Sequence, residues 1–123
     1  MKKKKILFIE DESDQVMLVK TRLESNGFDC ISAIDGEEGL KKADSELPDL
    51  VLLDLLMPKI DGYEVCKRMK ANPKTKDIPI IVITAAGGAI EVEAKCRACG
   101  ADDIIFKPYE SKELIEKIMI LIK

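Results

Sequence analysis

Glu10, Asp11, Asp54, Thr84 and Lys107 are the residues of this chain whose types and spacing could do chemistry together. Each stands at or just past the end of a short apolar run, 5–9, 49–54, 79–84 or 103–107. If those runs are parallel strands, their carboxyl ends meet at one edge, where open α/β sheets hold their ligands. Three carboxylates crowded there would raise one another's pKa and resist ionisation unless a cation joined them. An all-oxygen donor set suits a hard divalent ion such as Mg2+, or Mn2+ in its place, which keeps several waters and completes its shell with phosphate oxygens. Three carboxylates, a divalent ion and Lys107 sum to zero charge, so a phosphoryl group could enter without a large electrostatic penalty. Thr84 could donate to one phosphoryl oxygen while Lys107 pairs with another. Asp54 is then the candidate nucleophile, forming an aspartyl phosphate, with the ion and the lysine supplying most of the catalysis through positioning and charge stabilisation. Singly, each residue is ordinary, since acids often follow strands and threonine is a good strand former. The weight comes from four strand ends matching at once.

The elements that must position these residues follow from hydrophobic periodicity. The runs over 5–9, 49–54 and 79–84 are apolar without alternation, as strands covered on both faces require. The run 29–33 is weaker and partly alternating, which predicts a sheet edge. Between the strands lie helical segments. The first runs from Ser13 or Asp14, either of which could cap it, to about Ser25, with Val16, Val19 and Leu23 on one face and Gly27 as its stop. The second spans 37–46, where Gly39 costs about 1 kcal/mol relative to alanine. The third runs from Gly62 to about Ala71, the fourth from the Gly87-Gly88 loop to about Cys99. The last starts near Ser111 with Leu114, Ile115, Ile118 and Leu121 or Ile122 inward. Five strands alternating with five helices predict a doubly wound α/β fold with a parallel sheet.

The 123 residues fit a single domain, 1–123. Hydrophobic residues at 46% and charged residues at 35% argue against disorder, and the net charge of −3 points to neither nucleic acid nor a membrane surface as a direct partner. The basic run 2–5 reads as a solvated start to the first strand. The apolar run 6–9 is too short for a signal peptide, and nothing approaches the ~20 residues of a membrane span; a cytoplasmic protein is expected. The four cysteines, Cys30, Cys66, Cys96 and Cys99, do not predict a disulfide framework. Cys96 and Cys99 have redox or zinc spacing, but at a helix C-terminus, where the dipole disfavours a thiolate, and with no second pair or histidine to complete a zinc site. They read as small helix residues, with Cys99 packed inward.

Taken together, Glu10-Asp11, Asp54 in Asp-Leu-Leu-Met-Pro, Asp61-Gly62, Thr84-Ala85, and Lys107-Pro108 after Gly100-Ala-Asp-Asp resemble the receiver domain of two-component response regulators, over essentially the whole chain. The resemblance implies a flavodoxin-like sheet of order 2-1-3-4-5 with Asp54 as phosphoacceptor. Asp11, Asp54 and the backbone carbonyl of Leu56 would hold the Mg2+, with Glu10 acting through water. Thr84 and Lys107 would contact the phosphoryl group, and the Lys107-Pro108 bond would be cis. The chain contains no histidine, so the phosphohistidine donor must be another protein, a sensor histidine kinase or a phosphotransfer protein. The output would be a downstream protein target or output domain, reached through the fourth helix, fifth strand and fifth helix. Such a domain is no enzyme beyond catalysing its own aspartate phosphorylation and dephosphorylation. Whether the chain is a stand-alone regulator or part of a longer protein is left open by the sequence.

Two positions depart from the family. Receivers commonly carry Tyr or Phe where this chain has Ile104, and a ring there swings inward as the threonine moves. Ile104 predicts a muted or rerouted switch, through the Gly87-Gly88 loop. Leu56 and Ala86, beside the phosphoryl position, cannot orient an attacking water, which predicts slow self-dephosphorylation. Rival readings are a pseudo-receiver that only binds partners, whose mark would be loss of Asp54 or Lys107, and a haloacid dehalogenase-like phosphatase, whose second aspartate is replaced here by Leu56. A phosphate-binding glycine loop or dinucleotide turn is absent.

Overall fold

The computed structural model describes residues 3–55, 60–85 and 90–122. Leu56, the Met57-Pro58 turn, Ala86 and the Gly87-Gly88 pair therefore lie outside the described residues. The apolar runs form strands β1 (Lys5–Ile9), β2 (Asp29–Ala33), β3 (Leu50–Asp54), β4 (Ile80–Thr84) and β5 (Asp103–Phe106). Helices α1 (Ser13–Ser25), α2 (Gly36–Glu46), α3 (Gly62–Ala71), α4 (Ile90–Cys99) and α5 (Ser111–Leu121) alternate with them. The sheet has the order β2-β1-β3-β4-β5 with every pairing parallel. This is the order the family resemblance implied, with the weakly apolar β2 at an edge.

Because successive strand side chains face opposite ways, the sheet divides the core in two. Ile6, Phe8, Leu50, Leu52, Ile81, Ile83 and Ile105 pack with Val19 and Leu23 of α1 and Leu114, Ile115 and Ile118 of α5. Leu7, Ile9, Val51, Leu53, Ile80 and Val82 pack on the other face with Ala43, Val65, Cys66, Met69 and Cys96 from α2, α3 and α4. None of the described helices is long and apolar enough to cross a membrane.

Several local expectations shift. Neither Ser13 nor Asp14 caps α1; Glu12 is the N-cap residue, and its side chain makes no capping bond. The helix begins early because Val16 N–H already bonds the Glu12 carbonyl at 3.1 Å. α2 starts at Gly36, with Asp35 as its cap. β3 begins at Leu50; Asp49 before it still donates its N–H to the Lys5 carbonyl at 2.8 Å, while its carboxylate accepts the Lys5 N–H at 2.7 Å. Among the helix cysteines, Cys96 is the one buried completely, while Cys99 is only half-buried beside it. Gly39 also has a reason to be glycine, because a Cβ there would meet Ile9 Cδ1 at 2.4 Å.

Candidate functional site

Two adjacent central strands deliver the acids. β1 and β3 pair with Ile9 opposite Leu53, so Glu10 and Asp54 follow that pair side by side. By the alternation, both continue the face carried by Phe8 and Leu52, towards α1 and α5. Glu10 is only 1% exposed and Asp54 8%, while Asp11 lies open to solvent. One carboxylate oxygen from each of Glu10, Asp11 and Asp54 falls within 4.8 Å of the others.

Lys107 completes the group from beyond the end of β5. Its Nζ stands 3.8 Å from Glu10 Oε1 and 4.0 Å from Asp54 Oδ2. Its bond to Pro108 is cis, and its backbone N–H donates to the Thr84 carbonyl at 2.9 Å. Thr84, 1% exposed, closes β4 next to Asp54, whose own ladder partner is Ile83. Its alternation follows Val82, so it belongs to the α3 and α4 face, opposite to that of Glu10.

Electrostatics show why this pocket wants a cation. Burial first, then hydrogen bonding and repulsion from Asp54 and a hydrogen bond with Asp11, together push the Glu10 carboxyl up to about 8, with the Glu12 N–H at 3.3 Å only partly opposing them. The Lys107 ammonium at 3.8 Å favours the charged form, yet the carboxyl stays raised, because burial and the neighbouring acids outweigh it. The donor set is all oxygen, anionic and tightly grouped, and it fits a hard divalent ion.

The loop end of β3 is shaped by α3. Asp61 caps that helix by accepting the Glu64 N–H at 2.9 Å, and Gly62 N–H donates to the Leu55 carbonyl at 3.1 Å. A Cβ on Gly62 would come within 2.8 Å of the Asp54 carbonyl oxygen. The sequence marks Asp61-Gly62 as a motif, but this close approach to the backbone of Asp54 is visible only in three dimensions. Ile104 is not brought to the site. It sits half-buried on β5 opposite Val82, lining a cavity of about 350 Å3 with Glu93, Arg97, Phe106 and Lys117.

A sequence model of the family described as response regulator receiver domain matches residues 6–119. The chain belongs to that family. Among relatives, it is 44% identical over all 123 residues to a probable transcriptional regulator, ycf27, of Porphyridium aerugineum, covering 50% of that protein. It is 39% identical over 98% of its length to the alkaline phosphatase synthesis transcriptional regulatory protein PhoP of Bacillus subtilis, covering 49% of it. The chain thus spans about half the length of the curated relatives it matches. A putative response regulator from Chloroflexus aurantiacus superposes with a TM-score of 0.93 at 33% identity, over 98% of both chains. The chemotaxis protein CheY4 of Vibrio cholerae superposes with a TM-score of 0.91 at 26% identity, over 98% of this chain and 99% of that one. A receiver domain is a signalling domain, the phosphoacceptor switch of a two-component system. Such domains bind Mg2+ at an acidic pocket and interact with histidine kinases and output domains, and the acidic cluster here fits that pocket.

Proposed function

We propose that residues 1–123 act as one receiver domain that takes a phosphoryl group onto Asp54 from a phosphohistidine of a sensor kinase or phosphotransfer protein. The reading is carried by one observation: Lys107 Nζ faces both Glu10 and Asp54, beside the three-acid cluster. Asp11 and Asp54 would hold Mg2+, or Mn2+ in its place, with the Leu56 carbonyl, and Glu10 would act through water. When bound, the ion supplies charge neutralisation for the incoming phosphoryl group. Asp54, with its backbone set by Gly62, presents an oxygen that bonds to phosphorus as the P–N bond to the donor's imidazole breaks, and the electron pair leaves with that nitrogen. Lys107 pairs with a phosphoryl oxygen, and the Thr84 hydroxyl donates to another. The Lys107–Thr84 backbone bond makes these two contacts move as a unit.

Ile104, lacking a ring, would follow that movement only as a small aliphatic repacking between β5 and α4. The signal then passes to a protein target or output domain across the face of α4, β5 and α5. A domain working with such a donor would act in the cytoplasm as a switch, with no chemistry beyond gain and loss of its own phosphoryl group. Incubation with acetyl phosphate and Mg2+, followed by intact mass, tests this. The chain should gain one phosphoryl group, and Asp54→Asn or chelation of the metal should abolish the gain. No gain in the native protein would favour a phosphorylation-independent binding module instead.

A further inference from the structure

Three thiols lie where α3 meets α4: Cys66 on α3, and Cys96 and Cys99 on α4. Cys66 and Cys96 are fully enclosed, whereas Cys99 opens onto a surface cavity of about 450 Å3 shared with Asp61, Tyr63, Lys67 and Lys95. The Cys66 thiol has already crossed between the helices, donating to the Cys99 carbonyl at 3.3 Å. Burial, and after it the Cys99 thiol alongside, push the Cys66 thiol far above its ordinary range. A disulfide needs its two sulfurs brought together from neighbouring backbones, and here the Cys66 thiol hydrogen-bonds the Cys99 thiol as well as the Cys99 carbonyl, so the two sulfurs are already neighbours across the helix pair. A three-thiolate metal site is not formed, because among the described residues only Glu10, Asp11 and Asp54 bring three ligand atoms within 4.8 Å of one another.

We infer that Cys66 and Cys99 are a modification site, forming a disulfide that joins α3 to α4 when the protein meets a hydroperoxide. Cys99, the thiol with access to solvent, shares its cavity with Lys67 and Lys95, whose positive charge works against the disfavouring helix C-terminus; it gives up its proton and attacks a peroxide oxygen. The O–O bond breaks, the leaving hydroxide takes up the proton as water, and Cys99 is left as a sulfenic acid. The Cys66 sulfur then bonds to the Cys99 sulfur, the S–O bond breaks, and the hydroxyl departs with the Cys66 proton as a second water. Two thiols lose two electrons in all and one hydrogen peroxide is reduced. Cys96 is the poorer partner, since the Cys99 thiol hydrogen-bonds the Cys66 thiol, whereas it reaches the Cys96 thiol only through their charges. The link would tie the helix that follows the Asp54 strand to the helix that follows the Thr84 strand.

The test treats the fully reduced chain with hydrogen peroxide, alkylates what remains, and reads intact mass and unreduced peptide maps. The chain should lose the mass of two hydrogens, regain it with a reductant, and yield one peptide pair joined through Cys66 and Cys99. Cys99→Ser should abolish the link, and Cys96→Ala should retain it. In Cys66→Ala, dimedone should trap a sulfenic acid on Cys99, and the wild-type map decides the matter should that variant not fold. A link through Cys96, a dimer joined between chains, or oxygen addition without any link would each overturn the inference. The readout is a covalent bond, so it stands or falls separately from the assignment of Asp54.

Discussion

At Gly62 the limiting dimension of the site is a single methyl group. A Cβ there would stand 2.7 Å from Leu55 Cα and 2.8 Å from the Asp54 carbonyl oxygen, both backbone atoms that cannot swing aside. Gly62→Ala should therefore cost about 2–3 kcal/mol in urea unfolding, the upper range for forced overpacking, and should slow phosphoryl uptake by displacing Asp54. At Gly39 the obstacle is the Ile9 side chain, whose Cδ1 would be met at 2.4 Å. That side chain can shift, yet it is itself fully buried. Gly39→Ala should thus be net destabilising by about 1 kcal/mol, although helix propensity alone favours alanine by about that much; a gain in stability would show that Ile9 repacks freely. The acids, threonine and lysine of the site were legible in the sequence because each interrupts or ends an apolar run. The roles of Gly62 and Gly39 were not, because each depends on an atom from a different element. Cys66 escaped for the same reason: the sequence pairs Cys96 with Cys99, whereas the structure sets Cys99 against a thiol on another helix.

The helices differ most in how they begin. α2 has Asp35 accepting from Glu38 N–H at 2.8 Å while the Glu38 carboxylate accepts from Ile34 N–H at 3.0 Å, and α3 has Asp61 accepting from Glu64 N–H at 2.9 Å. α1 starts at Glu12 with no side-chain cap. Glu12→Ser should accordingly stabilise the chain by about 1 kcal/mol, and Asp61→Ala should cost about the same, the usual worth of an N-cap. Denaturant midpoints of the two variants should move in opposite directions. Periodicity located every helix and strand, with ends displaced by about one residue. One displacement has a visible source: the Lys5 N–H donates to the Asp49 carboxylate, so the side chain takes one of the two bonds Asp49 makes to β1. Ends depend on partners, and a single strand's sequence does not show its partners.

Across the molecule, alternation of strands and helices made a parallel sheet legible, but not its order, which came with the family resemblance. The two-sided burial of that sheet also governs the thiols. Burial pushes Cys30 and Cys96 up to about 11 from an ordinary 9.0, and it shifts Cys66, Tyr63 and Tyr109 in the same direction. Between those values the folded chain keeps protons that the unfolded chain has released. Stability should be full below about pH 9 and fall as pH rises through about 11. Urea midpoints across that range measure the loss, and Cys30→Ala should flatten it. At neutral pH, Cys30 and Cys96 should resist iodoacetamide until the protein unfolds.

Glu10 and Asp11 leave β1 while Asp54 ends β3, strands that lie side by side but are separated along the chain by α1, β2 and α2. The unfolded polypeptide has no counterpart of their oxygen cluster. A divalent cation held there binds one conformational state and not the other, so by mass action it draws the folding equilibrium towards that state. The ionic composition of the surrounding solution would then set how firmly the domain is assembled, before any phosphoryl group arrives.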